Sequence, residues 1–168
     1  MIFLVVPAII VLLFLLTPFF GAPYVPSKHR DIDEALTELY RISDQDTLVD
    51  VGSGDGAVLR SALDHGARSA IGYEINLFLV LISKISCRKY PSATTVFANF
   101  LRTEFPSETT IVYIFGVEHL MDKLRTKIEK SVSIHHRTIY LISYGFELKT
   151  KKPLRRRGAY FLYEFVSS

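Results

Sequence analysis

Leu48-Val49-Asp50-Val51-Gly52-Ser53-Gly54-Asp55-Gly56 runs from an apolar, β-branched segment into a glycine-rich turn. Val58, Leu59, Ala62 and Leu63 then recur at helical spacing, and Gly66 stops the pattern. A strand that feeds a glycine loop and opens a helix is the setting in which such glycines carry meaning. They let the backbone turn sharply and approach another molecule closely, and amides at the start of a helix are available to a negative or polar group. Gly52, Gly54 and Ala57 satisfy the dinucleotide spacing G-x-G-x-x-G/A, so spacing alone leaves the ligand open. Asp50 and Gly56 narrow the choice. A carboxylate two residues before the first glycine repels a pyrophosphate and suits a ligand carrying an ammonium and a sulfonium. Gly56 completes D-x-G-x-G-x-G.

Working outward, the pattern alternates. Strands are expected at Thr47 to Val51, Ser69 to Tyr73, Thr94 to Ala98, Thr110 to Phe115, Thr138 to Tyr144 and Ala159 to Val166. Helices are expected from Asp31, where Glu34 follows at the capping-box spacing, over Leu77 to Arg88, and over His119 to Val132. Ile32, Ala35, Leu36 and Leu39 share one helical face, as do Leu120, Met121, Leu124 and Ile128. This alternation predicts an α/β fold of Rossmann-like type, with a mostly parallel sheet and helices on both faces. Glu74 ends the second strand about 20 residues after the loop, where a carboxylate can accept hydrogen bonds from both hydroxyls of a ribose.

The 168-residue chain divides in two. The first 27 residues carry no charged side chain, and Lys28, His29 and Arg30 follow together. Ile2 to Phe20 covers roughly 28 Å as a helix, about one hydrocarbon core. A cleaved signal peptide would want a basic start and a small residue where Phe20 stands. The expected organisation is a transmembrane anchor at 1–21, a linker at 22–30 and a globular domain at 31–168. The positive charges just after the anchor place that domain on the cytoplasmic side, or on the inner organellar face of a eukaryotic cell. The net charge of +3 is too mild to argue for nucleic acid. A single cysteine, Cys87, excludes an internal disulfide framework and reads as a small buried hydrophobe. His135 and His136 have no acidic partners at metal-ligand spacing, so no metal is expected.

D-x-G-x-G-x-G is the loop form used by methyltransferases, and other stretches make the resemblance close. Pro23-Tyr24-Val25-Pro26, Gly72-Tyr73-Glu74-Ile75-Asn76 and Phe115-Gly116-Val117-Glu118-His119-Leu120-Met121 stand beside the loop. Together they resemble a membrane-anchored class I protein-lysine methyltransferase family, that of the ATP synthase c-subunit and adenine nucleotide translocase lysine methyltransferases. The resemblance covers roughly residues 22 to 130. It implies S-adenosyl-L-methionine as cofactor, held by Asp50, Gly52, Ser53, Gly54, Gly56, Glu74 and Asn99, and methyl transfer to a lysine of a membrane protein near the bilayer surface. Asn99-Phe100-Leu101 replaces the family's Asp-Leu-Trp, Glu118 replaces a proline, and Tyr144-Gly145-Phe146-Glu147-Leu148 replaces F-P-F-P-x-W.

Glu118 and His119 follow the fourth strand, where substrates approach in α/β sheets, and are the candidate catalytic pair. A helix N-terminal carboxylate and a surface imidazole are the structural alternative. Lys149, Lys151, Lys152, Arg155, Arg156 and Arg157 place six basic residues in a run of nine. This run is expected either as a solvated hairpin or as a contact to anionic headgroups. A small or lipid-like methyl acceptor and a non-catalytic cofactor-binding protein stay open as alternatives. An NAD-dependent oxidoreductase is disfavoured by Asp50 and Gly56.

Overall fold

Strand β1 (Thr47–Val51) is buried along its whole length, as a strand covered on both faces and flanked on both sides must be. The computed structural model describes residues 29–116 and 118–167. The anchor expected at 1–21 and nearly all of the linker lie outside the described residues. Among the described residues no helix is long and apolar enough to cross a membrane.

β2 (Ser69–Glu74) and β4 (Ile111–Phe115) flank β1 in parallel, with Asp50 opposite Gly72 on one side and Tyr113 on the other. β3 (Ala93–Phe97) extends the sheet beyond β2, and β5 (Ile139–Tyr144) extends it beyond β4. β7 (Tyr160–Phe165) runs antiparallel to β5, and β6 (Arg155–Arg157) runs antiparallel to β7. The order is β3-β2-β1-β4-β5-β7-β6. Strand order therefore reverses between β1 and β4, and ligands of open α/β sheets bind outside the carboxyl ends of the strands at such a switch point. The glycine loop leaves β1 there.

Among the described residues four helices cover the sheet: α1 (His29–Glu34), α2 (Ala57–Asp64), α3 (Leu77–Ser86) and α4 (Glu118–His135). Alternation within β1 sends Leu48 to one face and Val49 and Val51 to the other. Leu48 packs with Ile32, Leu36, Leu59, Ala62, Tyr113 and Ile142 under α1 and α2. Val49 and Val51 pack with Val112, Leu141, Met121, Leu124 and Ile128 under α4. Asp50 shares the α1–α2 face with Leu48. Asn76 caps α3 by accepting from the Phe78 amide at 2.9 Å. Gly66, at φ 95°, ends α2 while the Ala67 amide returns to the Ala62 carbonyl at 2.9 Å.

One feature departs from the sequence reading. The helix expected from Asp31 is α1 followed by a π-helical turn, Ala35–Leu39, closed by the Tyr40 amide on the Ala35 carbonyl at 3.0 Å. Part of the basic run forms the solvated hairpin expected as one of its two readings: exposed Arg155, Arg156 and Arg157 pair as β6 with Leu162, Phe161 and Tyr160. Cys87 is buried, as expected, with its thiol on the Gly56 carbonyl at 3.8 Å.

Candidate active site

The loop after β1 is tied to the end of β2. The Gly52 and Ser53 amides donate to the Tyr73 carbonyl at 2.8 and 3.2 Å. The Gly54 amide donates to the Glu74 carboxylate at 3.0 Å, and the Asn76 amide reaches its other oxygen at 2.8 Å. Gly56 donates to the Ser53 carbonyl at 2.9 Å, and Ala57 to the Asp55 carboxylate at 3.2 Å. These five amides are spent within the protein. A pyrophosphate finds no donors among them. Gly52, Gly54 and Gly56 sit at φ 91°, 54° and 80°, a region that side chains with a Cβ avoid.

Asp50 is 2% exposed and Glu74 7% exposed. Burial, then the charges of Glu74 and Asp55, push the Asp50 carboxyl well above the ordinary carboxylate range. Three carboxylates thus converge on one loop, and of them Asp55 is paired with Arg60 at 3.3 Å. A carboxylate has about four acceptor positions, so the two amides on Glu74 leave two for a ligand. Ser53 packs its side chain against Gly72, and its Oγ is buried with no hydrogen-bond partner. A methyl group at Gly72 would stand 2.6 Å from the Ser53 Cβ and 3.0 Å from Leu59. Gly72→Ala is therefore expected to destabilise the fold by roughly 1–3 kcal/mol, read as a lower melting temperature. An unchanged melting temperature would refute this packing argument.

The Ala98 amide donates to the Glu74 carbonyl at 2.9 Å, which sets Asn99 one residue from the end of β2. Asn99 is exposed past the end of β3, its side-chain oxygen accepting from the Leu101 amide at 2.9 Å. Glu118 and His119 are exposed in the first turn of α4. Lys149 stands 2.7 Å from Glu118 and lowers its pKa through that hydrogen bond and its charge. A carboxylate held ionised in this way orients cations better than it accepts protons. The basic run is largely answered from within. Arg156 meets Glu147 at 3.5 Å and lies over Phe161, Arg157 meets Glu34 at 3.3 Å and also Glu38, and Lys151 lies over Phe165.

A cleft of about 270 Å³ opens between α1 and the carboxyl end of β5, lined by Asp31, Glu34, Ala35, Tyr144, Arg157, Gly158 and Tyr160. Aromatic rings step along its floor. Phe115 meets Tyr144 at 4.8 Å, and Tyr144 meets Tyr160 edge-on at 4.7 Å. Tyr113 and Tyr160 bring their hydroxyls to 3.4 Å. Since Tyr113 pairs with Asp50, Phe115 stands two residues farther along, level with Gly52. Burial, with Asp31, Tyr144 and Glu34 adding, pushes the Tyr160 phenol up to about 12. The sequence reading missed this cleft. Its one signal was the altered ending of the fifth strand at Tyr144.

A family model described as the ANTKMT methyltransferase domain matches residues 50–155, from the buried loop carboxylate to the first residue of β6. The chain belongs to the ANTKMT methyltransferase domain family. A protein-lysine N-methyltransferase of Saccharolobus islandicus (strain REY15A) is 29% identical over 135 residues, 78% of this chain and 81% of that protein. The ATP synthase C-subunit lysine N-methyltransferase of Homo sapiens is 32% identical over 120 residues, 70% of this chain and 50% of that protein. The chain therefore spans about half the length of its human relative. The structure of an RNA methyltransferase from Salinibacter ruber in complex with S-adenosyl-L-homocysteine superposes with a TM-score of 0.73 at 24% identity, over 84% of this chain and 93% of that one. That likeness establishes the class I methyltransferase fold.

As a member of the ANTKMT family, the domain is an S-adenosylmethionine-dependent methyltransferase domain, and its loop fits that cofactor. The converging carboxylates suit a cationic ligand. The orphaned Ser53 hydroxyl and the open acceptor positions of Glu74 leave polar groups for it to meet.

Proposed function

We propose that this protein is a protein-lysine N-methyltransferase acting on a membrane protein close to the bilayer. The observation that carries the reading is the cleft at the carboxyl end of β5, where Asp31 stands over a floor of Tyr144 and Tyr160. Carboxylates beside aromatic faces suit an alkylammonium group. In this reading Asp50, Gly52, Ser53, Gly54, Gly56 and Glu74 hold the cofactor, with Asn99 at its base end. When bound, S-adenosylmethionine supplies an electrophilic methyl group on a sulfonium.

The chain's own residues collect and dehydrate the acceptor. A lysine free in water near pH 7 is neutral in roughly one molecule per few thousand, and only the neutral amine is a nucleophile. Asp31 draws the ammonium in. The ring floor then removes it from water, which favours passing its proton to Asp31 and leaving a neutral pair. Glu118, ionised beside Lys149, orients the incoming chain electrostatically, and His119 is its neighbour at the rim.

The membrane part of the reading rests on sequence. The 1–21 segment acts as a single-pass anchor, with the domain on the cytoplasmic or inner organellar side. The linker from Phe20 to Asp31 spans at most roughly 35 Å, which keeps the active site near the bilayer. Lys152 and Arg155 of the basic run remain available to anionic headgroups.

The test compares methylation in matched cells with and without the protein, using labelled cofactor. Label on a membrane-protein lysine is expected. In purified enzyme, Tyr144→Ala is expected to raise the KM for that acceptor while leaving S-adenosylhomocysteine affinity unchanged. Label found only on lipid, RNA or a soluble small molecule would overturn the acceptor assignment.

A further inference from the structure

Helix α3 is apolar on both sides. Leu79, Val80 and Ser83 face the sheet, yet Leu77, Leu81 and Ile85 on the opposite side are 57%, 53% and 63% exposed. Their spacing of four residues sets them in one stripe along the helix. An outward stripe of large aliphatics has no role in folding, because the same helix already buries its other face. Such stripes on a soluble domain mark contact sites.

Charge identifies the partner. From Ile75 to Ser92 the chain carries Lys84, Arg88 and Lys89 and no acidic residue. All three basic residues are exposed, at or just beyond the carboxyl end of α3. A convex aliphatic stripe with a basic end, no acid in its segment and a half-buried Phe78 beside Leu77 has the composition of a helix lying in a lipid interface. A protein partner would need a groove to receive a convex stripe, whereas acyl chains adapt to it. The helix is also placed for this: Cys87, at its end, packs in the same layer as α1 and α2, and α1 is where the chain enters the domain from the apolar head.

We infer that the outer face of α3 docks on an anionic phospholipid surface, with Leu77, Leu81 and Ile85 entering the acyl boundary and Lys84, Arg88 and Lys89 meeting the headgroups. This is a second membrane contact, separate from the basic run of β6. It fixes the orientation of the domain, where an anchor alone would only tether it.

The sequence has no tryptophan, so a single introduced one reports its own position. The full chain carrying Leu81→Trp is mixed with phosphatidylglycerol–phosphatidylcholine vesicles. Its emission is expected to shift to the blue and to lose most of its intensity when brominated lipid replaces ordinary lipid. Ile85→Trp is expected to behave alike, as a check on folding at either site. Ile134→Trp, exposed on α4 across the sheet, is expected to stay water-like on the same vesicles. Vesicles of phosphatidylcholine alone are expected to give a smaller shift. The inference fails if Leu81→Trp and Ile85→Trp stay water-like on vesicles that sediment the protein, or if the protein does not sediment with them. It also fails if both are already blue-shifted without lipid, since a protein segment or a second copy would then cover the stripe.

Discussion

Gly54→Val is expected to lose S-adenosylhomocysteine binding by more than about 100-fold, with the domain still folded. Gly54 sits at φ 54°, where a β-branched residue is strained by roughly 1–3 kcal/mol. The loop can relieve that strain only by moving, and movement breaks the 3.0 Å bond from the Gly54 amide to Glu74. Glu74 is buried, so losing a donor costs a further roughly 1–3 kcal/mol and turns the carboxylate away from its ligand position. Each 1.4 kcal/mol or so is about tenfold in affinity, and the two effects act on the same few atoms. Gly54→Ala carries less strain and is expected to fall between wild type and Gly54→Val. Calorimetric titration gives the affinities, and circular dichroism gives the fold. If Gly54→Val bound within about threefold of wild type while folded, the loop would not be the cofactor site.

That loop was also the most legible part of the sequence, for a physical reason. β1, the turn and α2 are contiguous, and their signals are local: β-branched residues, glycines where φ must be positive, and a helical period ended by Gly66. Glu74 was legible because the end of β2 has a fixed relation to the loop in this topology. The π-helical turn at Ala35–Leu39 was hidden because Ile32, Ala35, Leu36 and Leu39 point inward under either hydrogen-bonding pattern. A hairpin was legible at the basic run, but the extent of β6 within it was not, because three exposed arginines have no alternation. They form a strand through pairing with β7, not through their own preference. The cleft was hidden because it joins Asp31 and Glu34 to Tyr144 and Tyr160, residues that only the finished sheet brings together. The fate of the loop amides was also invisible, since their acceptors, Tyr73 and Glu74, belong to another strand.

Asp50→Asn is expected to raise the stability of the ligand-free domain at neutral pH and to weaken its cofactor affinity. Both effects follow from a carboxylate that is buried beside two others. Its folded-state pKa lies well above the ordinary carboxylate range, so over the interval between the two values the native state holds a proton that the unfolded state has released. Below that interval both states are protonated, and Asp50 adds no penalty. As the pH rises through it the unfolded chain ionises first, and stability falls until the folded carboxyl ionises as well. Asparagine keeps the shape without the charge and removes this slope. A cationic cofactor prefers the ionised form, so its affinity should rise with pH across the same interval, and binding should release a proton. Losing that charge interaction is expected to weaken binding about 10- to 100-fold, the worth of roughly 1.5–3 kcal/mol for a contact to a charged group. Thermal melts against pH, with titrations in buffers of different ionisation enthalpy, read the two trends. Wild type should show stability and affinity moving in opposite directions with pH, and Asp50→Asn should flatten both. A variant less stable than wild type at neutral pH, or one that bound the cofactor as tightly, would mean that Asp50 is satisfied within the protein and is not held in reserve for a cation.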